Sequence, residues 1–256
     1  MSKVCYLCGE KGANSKDHVP PKCLLPKSQS NIQRLTLLAH KQCNNQYSRD
    51  EEYFRDLIGP TAIDYPEGED VYFSTQRAWQ TSHGNRRLNM ILRNARSVQL
   101  RSEAGLYLGK AIGVQPDLSR VARVGMKIAQ GVIFTDTQNF ADPRTLYCVP
   151  IQSRNVPSER DKELKKGNPY WSILSSEYCQ HTNFSPSVAV RRAYTPISAE
   201  VKPFLTCMCF MIVMVYSTSF VVGGEILLKK VPKDFTMIGF LDDLEPVEGA
   251  EKKVDS

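Results

Sequence analysis

The sequence predicts an α+β protein, with a small N-terminal β–β–α module followed by a larger mixed helix–strand domain. Three observations predict it. The first 55 or so residues lack long apolar runs, yet hold four of the eight cysteines and two of the four histidines. A region that small often draws its stability from a metal rather than from its own core. Further on, Val121, Val124, Ile128 and Val132 recur at helical spacing, while the chain after Pro143 turns to strand-like apolar runs.

Taken in order, Cys5-Tyr6-Leu7-Cys8-Gly9 is a tight turn. Ser15 to Val19 is a short strand stopped by Pro20-Pro21. Leu35 to Leu38 is a second strand, and Asn44 to Leu57 a helix ended by Gly59-Pro60. Pro60 to Asp70 reads as a linker. Helices are expected over Leu88 to Leu100 and Ser119 to Phe134. Strands are expected over Leu146 to Ile151, Tyr170 to Leu174, Cys207 to Tyr216 and Ser219 to Leu228, with Lys162 to Lys166 a charged loop or helical turn. The domain plan is thus a module over 1–58, a linker over 59–70, a mixed domain over 71–246 and a polar, disordered tail over 247–256.

Composition narrows the function classes. With 41% hydrophobic and 23% charged residues, the chain is neither collagen-like, coiled-coil nor disordered. No apolar signal segment opens it, so the cysteines are expected in a reducing cytoplasm rather than in disulfides. The longest apolar run, Phe204 to Tyr216, is thirteen residues interrupted by Thr206. That is short of the roughly 20 a spanning helix needs, and a membrane partner is not expected. No glycine-rich phosphate loop is present. The net charge of +6 is unevenly spread: ten Lys or Arg against two acids between Gln76 and Lys127 leave the rest slightly acidic.

Metal chemistry is indicated by Cys5-x-x-Cys8 and His40-x-x-Cys43, separated by 31 residues. Each pair sets two soft or borderline ligands on one turn, and two such turns complete a closed tetrahedral shell for structural zinc. Cys23 has no two-spaced mate and reads as a small apolar filler. Between the half-sites lies Asp17-His18-Val19-Pro20-Pro21, and directly after the second comes Asn44-Asn45, opening a helix. An oxygen-ligated divalent cation beside an imidazole is what one-metal phosphodiester hydrolysis requires.

In residue type, spacing and order, these motifs resemble the zinc-stapled branch of the HNH endonuclease family, over about residues 3 to 57. The resemblance implies a ββα-metal core and metal-dependent cleavage of DNA. His18 then matches the general base, Asp17 and Asn44 the ligands of a catalytic Mg2+ or Mn2+, and Cys5, Cys8, His40 and Cys43 those of the structural zinc. His40 stands where the pattern more often has cysteine. Two further positions depart from it. Leu35 is found near the place of the central asparagine that braces the base, and the helix has no late histidine, leaving Asp50, Glu51 or a water to complete the shell. The competing reading is a zinc-stabilised nucleic-acid-binding or adaptor protein with an impaired site.

The basic segment supplies the expected DNA contacts: Arg77, Trp79, Arg86, Arg87, Arg93 and Arg96 combine cations with an aromatic ring, as phosphate tracking and base stacking require. A nuclease with one site makes a double-strand break by pairing as a homodimer or by two events. His83 and His181 are isolated, and Cys207 and Cys209 share one face of a strand as packing residues.

Overall fold

The computed structural model describes residues 3–27, 34–102, 104–152, 180–185, 187–198 and 205–228. The expected elements at Tyr170 to Leu174 and Lys162 to Lys166, and the 247–256 tail, lie outside these. The described chain is mixed α+β. Strands β1 (Ser15–Val19) and β2 (Leu35–Ala39) form an antiparallel ribbon, with Asp17 opposite Leu37 and His18 opposite Thr36. Helix α1 (Lys41–Ala62) follows at once, giving the β–β–α order read from the sequence.

Helix α1 runs through Gly59 and Pro60 instead of stopping before them. Two features outweigh the proline. Ile58, Gly59 and Ala62 are buried, so the last turn is held by packing. Gly59 also lies where a Cβ would sit 2.5 Å from Oγ1 of Thr75, so the glycine serves as a close crossing point for helix α2 (Glu69–Trp79). The segment read as a linker is therefore the end of α1, a turn and the first residues of α2.

Helix α3 (Ser82–Leu92) is capped by Thr81, whose side chain accepts from the Gly84 amide at 3.1 Å. The helix expected over 88–100 breaks here. Strand β3 (Arg96–Arg101) instead pairs antiparallel with β4 (Tyr107–Gly113). Alternation of polar and apolar residues from Ser97 to Leu100, with Gly105 at φ +81° in the turn, suits a hairpin better than a second helical stretch. Every β3 side chain is exposed.

Helix α4 (Leu118–Thr137) begins at Asp117, whose carboxylate accepts from the Ser119 and Arg120 amides. It packs on a five-stranded antiparallel sheet of β5 (Leu146–Gln152), β6 (Gln180–Ser185), β7 (Val188–Ser198), β8 (Leu205–Val215) and β9 (Thr218–Leu228), ordered β5-β9-β8-β7-β6. Cys207, Cys209, Met211, Val213 and Val215 have no exposed surface and line the core with Val188 and Val190. Cys207 and Cys209 are packing residues, as expected; burial raises both thiol pKa values, that of Cys207 to about 11. One buried cluster runs from Cys5 and Tyr6 through Phe54 and Ile128 to Phe220.

Two glycines place α4 between the sheet and the N-terminal ribbon. A Cβ on Gly125 would overlap the Phe220 ring, and one on Gly131 would lie 2.6 Å from Val19 Cγ2. Gly131→Ala should therefore destabilise the protein. Alanine favours a helix by up to about 1 kcal/mol, but overpacking costs about 1–3 kcal/mol. Urea denaturation reads the sign, and a more stable variant would contradict this packing. At the far end of α4, Asp136 takes two hydrogen bonds from buried Arg192 (2.5 and 2.7 Å) and one from Tyr194 (2.7 Å), tying the helix to β7. Among the described residues no helix is long and apolar enough to cross a membrane.

Candidate metal centre and its neighbouring cation site

The Cys5–Cys8 turn and the start of α1 bring Cys5, Cys8, His40 and Cys43 together. One ligand atom from each lies within 4.8 Å of all the others. Cys8 Sγ is 3.3 Å from His40 Nδ1, and Cys43 Sγ is 3.8 Å from it. Bonds of about 2.0–2.3 Å to one tetrahedral zinc require separations of this order. His40 Nε2 lies 3.1 Å from the Lys11 carbonyl. Donation there fixes the tautomer with its Nδ1 lone pair toward the sulfurs, the outer support a metal-ligating histidine uses. The four residues thus form a candidate zinc-binding site. Burial, followed by the neighbouring sulfurs, pushes the Cys43 thiol up to about 12, and a bound cation reverses that balance by favouring thiolate. Cys23 stands apart from the cluster, packed against the core with its thiol pKa raised to about 12 by burial.

The knuckle between Cys5 and Cys8 also serves a second centre. Tyr6 is fully buried, and its hydroxyl donates to Asp17 Oδ2 at 2.6 Å. Its pKa lies well above the ordinary phenol value, first through burial and then through the Asp17 charge. Sequence reasoning missed this residue, although its place inside the Cys-x-x-Cys turn was a usable signal.

Asp17 and Asn44, expected as ligands of a divalent cation, do converge, and a protein cation sits between them. Lys127 Nζ on α4 is 2.8 Å from Asp17 Oδ2 and 3.0 Å from Asn44 Oδ1, and it also donates to Glu51 Oε1. The Lys127 side chain is fully buried, with 7% of Asp17 and 16% of Glu51 exposed. Two carboxylates and a neutral amide oxygen aimed at one point suit a hard divalent cation chemically. In this structure Lys127 holds that point. Burial pushes the Glu51 carboxyl up, against the opposing charge of Lys127. Asp50, the other candidate carboxylate for the shell, instead pairs with Arg120 (2.7 Å) and Arg123 (3.3 Å) of α4.

His18 is half-buried and, as the next strand residue after Asp17, starts from the opposite face of β1. Its Nδ1 lies 3.3 Å from Thr36 Oγ1, the residue directly opposite on β2. Thr36 thus contacts the imidazole one position beyond Leu35, where no bracing asparagine is found. Only strand register shows this.

No family model, curated protein or solved structure matches this chain.

The basic segment divides in the fold. Arg77 and Arg86 are exposed on α2 and α3, Arg93 just past the end of α3, and Arg96 on β3. Arg87 is committed internally, to Asp56 at 2.7 Å and Glu52 at 3.0 Å. Trp79 is half-buried, with its indole nitrogen inside and without a hydrogen-bond partner among the described residues. Arg120, Arg123 and Lys127 all face α1. Ion pairing and burial therefore withdraw Arg87, Arg120 and Lys127 from any phosphate, while Arg123 stays exposed beside Asp50, a division that charge counting could not make.

Proposed function

We propose that the chain is an HNH-type endonuclease that hydrolyses DNA phosphodiester bonds. The observation that supports this most is the convergence of the Asp17 and Asn44 oxygens within 3.0 Å of a single cationic point, with His18 the residue after Asp17 on β1 and a Cys3His cluster at the start of α1. Zinc at Cys5, Cys8, His40 and Cys43 is the structural metal that fixes the knuckle and the start of α1. Asp17 and Asn44 would hold a Mg2+ or Mn2+, which would supply Lewis-acid stabilisation of the charge that develops on phosphate oxygens. His18 takes the proton of the attacking water through Nε2. Thr36, by engaging Nδ1, holds the ring in the tautomer that leaves Nε2 free to accept. Incubation of plasmid with zinc-loaded protein and Mg2+ or Mn2+, against an EDTA control, tests the activity. Absence of cleavage with either cation would refute it.

The second reading, a nucleic-acid-binding or adaptor protein with an impaired site, is favoured by one specific observation: the buried Lys127 ammonium at the cation position. Both readings place DNA on the exposed cations. The β3–β4 hairpin adds Arg101 and Lys110 to Arg93 and Arg96 as exposed cations, on a two-stranded ribbon of the kind a major groove admits. In the Arg93→Ala/Arg96→Ala double variant, the slope of log affinity against log salt should fall by about 0.9 for each phosphate that the protein no longer neutralises. An unchanged slope would remove these residues from the interface. Arg87 is excluded from that test because its loss would leave Asp56 buried without one of its partners.

A further inference from the structure

We infer that Lys127 is the resident cation of the Asp17–Asn44–Glu51 centre, and that its ammonium must withdraw before those oxygens can take a divalent cation. The inference rests on the nuclease reading for the identity of the site, and deepens it by adding Glu51 and Lys127.

The arrangement is rich in oxygens but unbalanced in charge. Lys127 donates hydrogen bonds to Asn44 Oδ1 and Glu51 Oε1 and is ion-paired with Asp17 Oδ2 at 2.8 Å. Two carboxylates against one ammonium leave the group one negative charge in excess, whereas a divalent cation would balance it. A lysine buried only to pair with an acid needs one carboxylate. Here the neutral oxygen of Asn44, on the first turn of α1, turns to the same point as carboxylates from β1 and from farther along that helix. Convergence of oxygens from separate elements is how a hard cation is surrounded.

The placement of Lys127 is equally specific. It lies one turn before Gly131, where α4 passes so close to Val19 that a side chain would clash, and Val19 is two residues from Asp17 on the same strand face. The crossing therefore delivers the lysine to the carboxylate. Burial of the whole side chain keeps water from replacing it. The ammonium can thus hold the three ligands in position when no metal is bound, sparing the cost of gathering two carboxylates with nothing between them.

Zinc-loaded wild type and the Lys127→Met variant are titrated with Tb3+, an oxygen-seeking probe that does not compete for a thiolate site. The phenol of Tyr47, whose ring centroid is 5.5 Å from Lys127 Nζ, serves as emission sensitiser. The variant should bind Tb3+ roughly tenfold or more tighter than wild type, because removing the ammonium removes a like charge at short range. Adding Glu51→Gln to that variant should reverse the gain. Equal affinity in wild type and Lys127→Met, or binding by neither, would overturn the inference.

A second measurement needs no variant. Acetylation of wild type, read by mass spectrometry, should leave Lys127 protected without divalent cation and label it several-fold more with saturating Mn2+. Unchanged labelling overturns the withdrawal. Plasmid cleavage separates this inference from the functional reading. Wild type that cuts DNA while Lys127 stays unlabelled and its variant gains no binding refutes the inference alone. Gained binding without cleavage by any form refutes nuclease activity alone.

Discussion

With zinc bound as proposed at Cys5, Cys8, His40 and Cys43, chelation or Cys43→Ala should unfold the first forty residues and lower the melting temperature by roughly 10 °C or more. Structural zinc sites bind with about 10–16 kcal/mol at neutral pH, comparable with the entire stability of a typical domain at about 5–15 kcal/mol. For a chain of this size each kcal/mol lost lowers the midpoint by about 2–4 °C. Loss of even a third of that binding energy therefore suffices. The effect reaches beyond the ligands. Tyr6, inside the Cys5–Cys8 knuckle, donates to Asp17, and Asn44 follows Cys43 directly. Both halves of the cation site thus hang from the staple. The measurement is bound zinc per chain together with thermal melting. Full stability in a variant that retains no zinc would show that the apolar cluster around Tyr6 and Val19 holds this region unaided.

Under the proposed nuclease function, His18→Ala should retain zinc, fold and DNA affinity while lowering plasmid cleavage by about a thousandfold. General-base catalysis contributes typically 10²–10⁴-fold, and no other imidazole among the described residues adjoins Asp17. His40 is committed to the thiol cluster and to Lys11, and His83 and His181 are exposed on α3 and β6. The half-buried His18 side chain contributes little to the core, so the loss should fall on the rate. Cleavage by the variant at the wild-type rate would show that another group takes the proton. A collapse in melting temperature would instead assign His18 to structure.

How much is legible in the sequence depends on the range of the interaction. Strand β1 appears with the bounds expected, because Pro20-Pro21 ends it locally. The thiol cluster is legible because two-residue spacing places paired ligands on one turn whatever the rest of the chain does. The end of helix α1 is not: Pro60 is a local stop signal, and burial of Ile58 and Ala62 against distant residues overrides it. The 88–100 segment fails for the opposite reason. Helical periodicity from Leu88 to Ile91 carries across a boundary that only pairing with β4 sets. The excess positive charge is correctly located along the chain, but sequence alone does not divide it into exposed and paired cations.

The amino-acid sequence alone determined the ligand turns, the Asp17-His18 pair beside them and the β–β–α order, since each rests on contacts within a few residues. Only the tertiary structure decided that Lys127, 83 residues from Asn44, occupies the point between Asp17 and Asn44. That outcome depends on the rotation of α4 about its axis and on its close approach at Gly131. Both are set by packing against β1 and the sheet, and no local pattern encodes them.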